Sequence, residues 1–347
     1  MLPGSLVGLA VALASLILAA PTGGEEPTAR CAPSAAAPSR LYLAAYKRMT
    51  IVNVPRQRVR TVEVPQSEAG DFPYNIVRRR GCFVVWSYIQ GRGYTVFALD
   101  SRMHAKRLAS HTRLFIPSSR PSRIWVLLGD RTHPWDGHLR AVREVSVSGQ
   151  VTVPGTRPPG GREPVASVGS WLLLATRHNM IPWNPRTGRV GRRLSFDRLG
   201  YPWSTPYGRV LATCMRYCRS ILLTHVASGR RREIDAPPGD FFDAGEGAFS
   251  PDGKLIAIPL RRRKADPGGS VPPRLAIAQL RSGRVSIIPR SCVPGGYVYV
   301  AWSSSGRHVF ITGGGYEHRK IVTYRVGNAH ARRVRVRVGQ FYGVAAG

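Results

Sequence analysis

Ala248-Phe249-Ser250-Pro251-Asp252-Gly253-Lys254-Leu255-Ile256-Ala257-Ile258 reads as a strand ending in an aromatic residue, a tight polar turn, and a second, apolar strand. Asp-Gly is a strong hairpin signal because glycine takes the positive φ such a turn demands. The pattern returns without gaps at Ala301-Trp302-Ser303-Ser304-Ser305-Gly306-Arg307-His308-Val309-Phe310-Ile311, where Ser304-Ser305 stands in place of Pro-Asp.

A turn followed by an apolar run recurs upstream. It is found at Gly81 before Cys82 to Trp86, at Pro121-Ser122 before Ile124 to Leu128, at Gly169 before Trp171 to Leu174, and at Gly208 before Val210 to Ala212. The mean spacing is about 45 residues, in the range of propeller blades. A second family of turns runs in phase, near Gln57, Arg102, Gly149, Gly188, Gly229, Gly283 and Gly327, several of them reading Ser/Thr-Gly-Arg/Gln. The second family predicts an all-β, seven-bladed β-propeller of four-stranded antiparallel blades. The alternative is six blades, with residues 111 to 150 as an insertion.

Closure fits seven. Leu41 to Val64 has room for three strands and lacks the turn that would join a first to a second. The tail from Gln340 to Ala346 supplies a missing strand, and pairing the chain's ends removes an open sheet edge. No stretch sustains a 3.6-residue period, which argues against helical folds.

The segment Phe249-Ser250-Pro251-Asp252-Gly253-Lys254 resembles the F-S-P-D-G-K turn of TolB-type and other WD-repeat-like propellers. The resemblance implies that this turn joins the first and second strands of a blade, and by analogy of fold it implies a protein-interaction role.

The chain has 347 residues and carries 51 Lys+Arg against 19 Asp+Glu, a formal charge of +32. That imbalance points to an anionic partner, or to a compositional bias spread along the chain. Residues 1–24 read as a signal peptide or N-terminal anchor: Ser5 to Ala20 is apolar and small, and Pro21-Thr22-Gly23-Gly24 ends the run. Residues 25–39 form a low-complexity linker, and residues 40–347 form the propeller. The expected location is outside the cytoplasm, secreted or on the cell surface.

Cys214-Met215-Arg216-Tyr217-Cys218 lies between two apolar stretches, so a hairpin would bring the thiols together as a disulfide. A zinc site would need a second ligand pair that the sequence does not supply. Cys31, Cys82 and Cys292 then leave one further pair and one free thiol.

In a propeller, the loops between blades and between second and third strands share one face, where ligand sites converge. Three segments there carry candidate chemistry. Pro237 to Glu246 is read as an inter-blade loop whose Asp240, Asp243 and Glu246 either bind a cationic group or pair with arginines. Asp130 to His138 holds His133, Asp136 and His138 as weak metal candidates, with an ordinary turn as the alternative, and Trp135 as a ligand contact. Arg261 to Pro273 is a basic insertion in which Arg261, Arg262 and Arg263 are placed to hold phosphates or carboxylates. Trp86, Trp125, Trp171 and Trp302 are expected to pack between blades, whereas Trp183 and Trp203 are expected nearer a ligand surface.

No nucleophile elbow, P-loop, H-E-x-x-H or Rossmann fingerprint occurs, and no cofactor is called for. The leading expectation is a monomeric, secreted, non-enzymatic binding or scaffold propeller that recognises a protein partner or an anionic cell-envelope polymer. The alternative is a secreted hydrolase or lyase with carboxylates lining the channel. The position of Asp240, Asp243 and Glu246 discriminates between them. Export puts nucleic acid out of reach, and membrane contact is expected only through an uncleaved N-terminal segment.

Overall fold

Along the strand Cys82–Ile89, Val84 and Trp86 pack into one hydrophobic core while Phe83 and Val85 pack into another. Successive side chains of a strand point to opposite faces, so this sheet is buried on both. That is why the strand reads as a continuous apolar run rather than an alternating one. The same two-sided burial repeats around the molecule. Seven separate cores form, each between two neighbouring sheets.

The computed structural model places seven antiparallel sheets in a ring, a seven-bladed β-propeller without α-helices among the described residues. Those are residues 40–346 apart from 46–47, 64–74, 80, 90–92, 101, 130–137, 177, 196–201, 205–208, 216–217, 244–246, 263–270, 295–297, 315–318, 340 and 342. The proposed signal segment and linker therefore lie outside the described residues.

From the inner strand outward, blade 1 is Gly343–Ala346, Arg40–Ala45, Arg48–Asn53 and Arg58–Glu63. Blade 2 is Asn75–Arg79, Cys82–Ile89, Gly93–Leu99 and Ala105–Ser110; blade 3 is Thr112–Pro117, Arg123–Leu128, Ala141–Ser146 and Val151–Thr156. Blade 4 is Pro164–Val168, Trp171–Ala175, Asn179–Trp183 and Leu194–Ser195; blade 5 is Pro202–Ser204, Val210–Met215, Ser220–His225 and Arg231–Asp235. In blade 6 the inner strand comes in two pieces, Asp240–Phe242 and Ala248–Phe249, both paired with Leu255–Arg262, followed by Arg274–Gln279 and Val285–Ile287. Blade 7 is Tyr299–Trp302, His308–Gly314, Arg319–Arg325 and Arg332–Val334.

Closure follows the expected route. Gly343–Ala346 pairs antiparallel with Arg40–Ala45, Ala346 opposite Leu41 and Gly343 opposite Ala44, so the last strand of the chain completes the first blade. Phe341, 1% exposed, sits in the core between blades 7 and 1 and anchors the segment that leads into this strand.

The two turns that decided the fold are built alike. Ser250 N–H donates to the Leu255 carbonyl at 2.9 Å, Gly253 N–H to the Ser250 carbonyl at 2.8 Å, and Gly253 holds φ +66°. Asp252 accepts from the Ser250 hydroxyl at 2.6 Å and from Lys254 N–H at 3.1 Å. In the second turn Gly306 holds φ +67°, and the Ser305 hydroxyl takes the carboxylate's place, 3.1 Å from the Ser303 hydroxyl and 3.4 Å from Arg307 N–H. Ser for Asp is thus a substitution within one turn type.

Because neighbouring strands run antiparallel, the turns joining first to second and third to fourth strands fall on one side of the ring, here the turn face. The loops joining second to third strands, and blade to blade, fall on the other, the loop face.

Two expectations are corrected. Pro237 to Glu246 is not wholly a loop: Asp240–Phe242 already belongs to the inner strand of blade 6, because Phe242, fully buried, fills the core against blade 5. Trp183 is not at a ligand surface; it is 2% exposed and packs between blades 3 and 4. Trp86, Trp125 and Trp302 are buried between blades as expected, and Trp171 is half-buried against the core between blades 4 and 5. Trp86 Nε1 donates to Thr112 of blade 3 at 3.1 Å, and Trp302 Nε1 to the Ala248 carbonyl of blade 6 at 2.8 Å.

Candidate functional site

The loop-face rim of blade 6 gathers the charged residues singled out by sequence. Asp240 opens the inner strand opposite Arg262, and Phe241 lies opposite Arg261. Arg274 opens the third strand opposite Leu260, and its Nη2 donates to both Asp240 oxygens at 2.9 and 3.0 Å. The Asp240 side chain is 7% exposed and that of Arg274 is 28% exposed. Arg261 Nε donates to Asp243 Oδ2 at 2.6 Å. Arg262 is exposed.

Both described carboxylates of this site therefore face arginines of their own blade. A hydrolytic acid or base needs a carboxylate with lone pairs turned toward the substrate. Here the lone pairs meet guanidinium groups within one sheet, and the arrangement reads as an ionic brace of the rim. The other nominated residues divide simply. Glu246, Arg263, His133, Trp135 and Asp136 lie outside the described residues, as do the side chain of Trp203 and Cys31. His138 is described and exposed. Among the described residues, no group of three or more His, Cys, Asp or Glu is placed to hold a metal ion.

Cys214 and Cys218 form the expected disulfide, their Cα atoms 4.8 Å apart, on the loop face of blade 5. Cys82 is also disulfide-bonded, and Cys292 is a free, exposed thiol.

Sequence reasoning missed two charged features. Arg274, the partner of Asp240, sits beyond the basic insertion and belongs to no motif. Glu144, on the third strand of blade 3, is a carboxylate whose side chain is 3% exposed. It accepts from Thr152 at 2.7 Å, Ser118 at 2.8 Å and Arg123 Nη1 at 3.1 Å, and it pairs with Arg186 from a turn of blade 4. Burial pushes its carboxyl upward, but these hydrogen bonds and the Arg186 charge outweigh that and hold it below the ordinary value of 4.5. Glu144 thus ties blades 3 and 4 together near the turn face.

The fold is shared with several solved structures. The periplasmic gluconolactonase of Pseudomonas aeruginosa superposes with a TM-score of 0.58 at 15% identity, over 88% of this chain and 98% of that one. A protein from Lactobacillus plantarum gives 0.55 at 10% identity over the same shares. TolB of Acinetobacter baumannii gives 0.51 at 13% identity, over 88% of this chain and 66% of TolB. At such identities the likeness is one of fold. No family model matches the sequence, and no curated protein matches it.

Proposed function

We propose that this protein is an exported, non-enzymatic binding propeller whose ligand is an anionic polymer of the cell envelope. The observation that carries the reading is the division of its charges. Asp240, Asp243 and Glu144 are each held by arginines of the fold. Meanwhile most of the 46 arginines are left over, against only 19 carboxylates in the chain. An uncompensated cationic surface attracts polyanions and speeds their encounter.

The disulfides support export, since such bonds persist in oxidising compartments. The periplasmic gluconolactonase and TolB share the fold and agree with that setting. A hydrolase remains the rival class; of its three nominated carboxylates, Asp240 and Asp243 are engaged by Arg274 and Arg261, and Glu246 lies outside the described residues. A protein partner is the other candidate ligand, and it rests on the TolB-type turn alone.

The test is retention on immobilised linear polyphosphate as salt is raised, against a basic protein of similar net charge. Specific binding predicts elution at clearly higher salt than the reference. Elution together with the reference would reduce the charge to composition. Lactone hydrolysis by the purified chain, abolished in Asp240→Asn, would overturn the non-enzymatic reading.

A further inference from the structure

The turns between third and fourth strands place one residue at an equivalent position in each blade, directly after the residue that takes positive φ. In blades 1, 4, 5 and 6 that positive-φ residue is Gln57, Gly188, Gly229 and Gly283, with φ of 51°, 70°, 69° and 75°. The residues that follow are Arg58, Arg189, Arg230 and Arg284, all exposed. The same face presents Arg56 and Arg102 from such turns, and Arg120, Arg209 and Arg307 from the first-to-second turns. All are exposed, and none meets a carboxylate among the described residues.

The acidic residues near this face do not offset them. Glu144 is enclosed between blades 3 and 4. Asp100 has a 6% exposed side chain and accepts from Arg102 N–H, His104 N–H and the His104 ring. Asp252 lies beside Lys254 and its own turn. Glu63, Glu163, Asp235, Asp240 and Asp243, by contrast, stand at strand ends on the loop face, and Glu233 lies midway along the outer strand of blade 5, where it accepts from the Ser220 hydroxyl. Exposed arginines stand on both faces, Arg48, Arg140, Arg219 and Arg262 among them on the loop face. The described carboxylates stand mostly on the loop face, so the turn face carries the less compensated positive charge.

We propose that the turn face is a binding surface for a linear phosphate-bearing polymer, laid around the rim across the turns of several blades. This rests on the anionic-polymer reading above and assigns it a face and a chemistry. A chain of phosphates matches the arrangement because its charges repeat along a line, as the arginines repeat around the ring. Phosphate offers oxygens in several directions, so long, unbraced guanidinium groups engage it without the common plane that a carboxylate imposes. A bilayer surface fits less well. The exposed large apolar side chains among the described residues are all valines, Val59, Val151, Val165, Val190 and Val326, which offer no aromatic or long aliphatic wedge.

The experiment compares the full chain with two triple variants. Arg189→Gln/Arg230→Gln/Arg284→Gln removes turn-face charge, and Arg48→Gln/Arg140→Gln/Arg219→Gln removes the same charge from exposed loop-face positions. Affinity for linear polyphosphate is measured over a salt series, with circular dichroism confirming that each variant folds. The turn-face triple is expected to lose about tenfold in affinity and to flatten the salt dependence, with the loop-face triple staying within about twofold. Equal losses in both triples would overturn the face assignment. Polyglutamate binding as tightly as polyphosphate would overturn the phosphate assignment, and vesicles with anionic phosphatidylglycerol binding more tightly than the polymer would overturn the polymer assignment. No binding of polyphosphate by the unaltered chain would overturn the parent reading as well.

Discussion

One guanidinium nitrogen of Arg274 donates to both carboxylate oxygens of Asp240, at 2.9 and 3.0 Å, reaching past the intervening strand Leu255–Arg262. The pair ties the inner strand of blade 6 to its third strand at the loop-face rim. It also turns what looked like the best catalytic carboxylate of the chain toward its own blade.

Removing one partner leaves the other without a countercharge. Arg274→Ala is expected to cost about 3 kcal/mol, the low end for a broken buried pair because Arg274 is partly exposed. The double variant Asp240→Leu/Arg274→Met is expected to recover most of that loss. Urea unfolding of the three proteins checks both values. If the single variant is as stable as the parent, the pair is not a brace.

Glu144 sets a pH dependence. Its carboxyl is held below 4.5 in the folded chain, so the unfolded chain binds the proton more readily. The stability it contributes is complete above that value and is lost as pH falls beneath it. Thermal melts from pH 6 downward should therefore show a fall below the ordinary carboxyl range that is shallower in Glu144→Gln. Parallel curves for the two proteins would remove Glu144 from the acid response.

Most of the architecture was legible because turns are local. Gly253 and Gly306 announce their geometry within four residues, and the seven third-to-fourth turns in phase with them leave little freedom in blade count. The closing strand was legible by subtraction, since Leu41 to Val64 lacked a partner. What escaped was set across strands. Asp240 and Arg274 lie 34 residues apart and meet only after pairing. Asp240–Phe242 looked like loop because Pro237-Pro238-Gly239 precedes it, while its strand character comes from Phe242 filling a core that blade 5 supplies. The turn-face arginines were visible as Ser/Thr-Gly-Arg repeats, but that they share a face follows only from the ring.

Ring closure has its own test. A chain ending at residue 342 leaves the strand Arg40–Ala45 with an unpaired edge, open to pairing with another chain. It is expected to elute as oligomers and aggregates on size exclusion, whereas the full chain elutes as one copy. A monodisperse truncated monomer would mean that blade 1 holds without its last strand.

His308 offers a direct reading of the turn face. It follows Arg307 and sits opposite Arg325 on the neighbouring strand. Burial, and then the charges of Arg325 and Arg307, hold its imidazole below the ordinary 6.5. The unfolded chain therefore takes up this proton first, and the residue withdraws stability as pH falls through the region below 6.5. A phosphate chain lying across Arg307 and Arg325 would cancel part of their field, and the imidazole should then titrate closer to 6.5. Histidine proton shifts followed across pH, with and without linear polyphosphate, measure this. Arg307→Gln should raise the value in the absence of polymer and shrink the further rise when polymer is added. If His308 titrates identically in saturating polyphosphate, the polymer does not lie over blade 7.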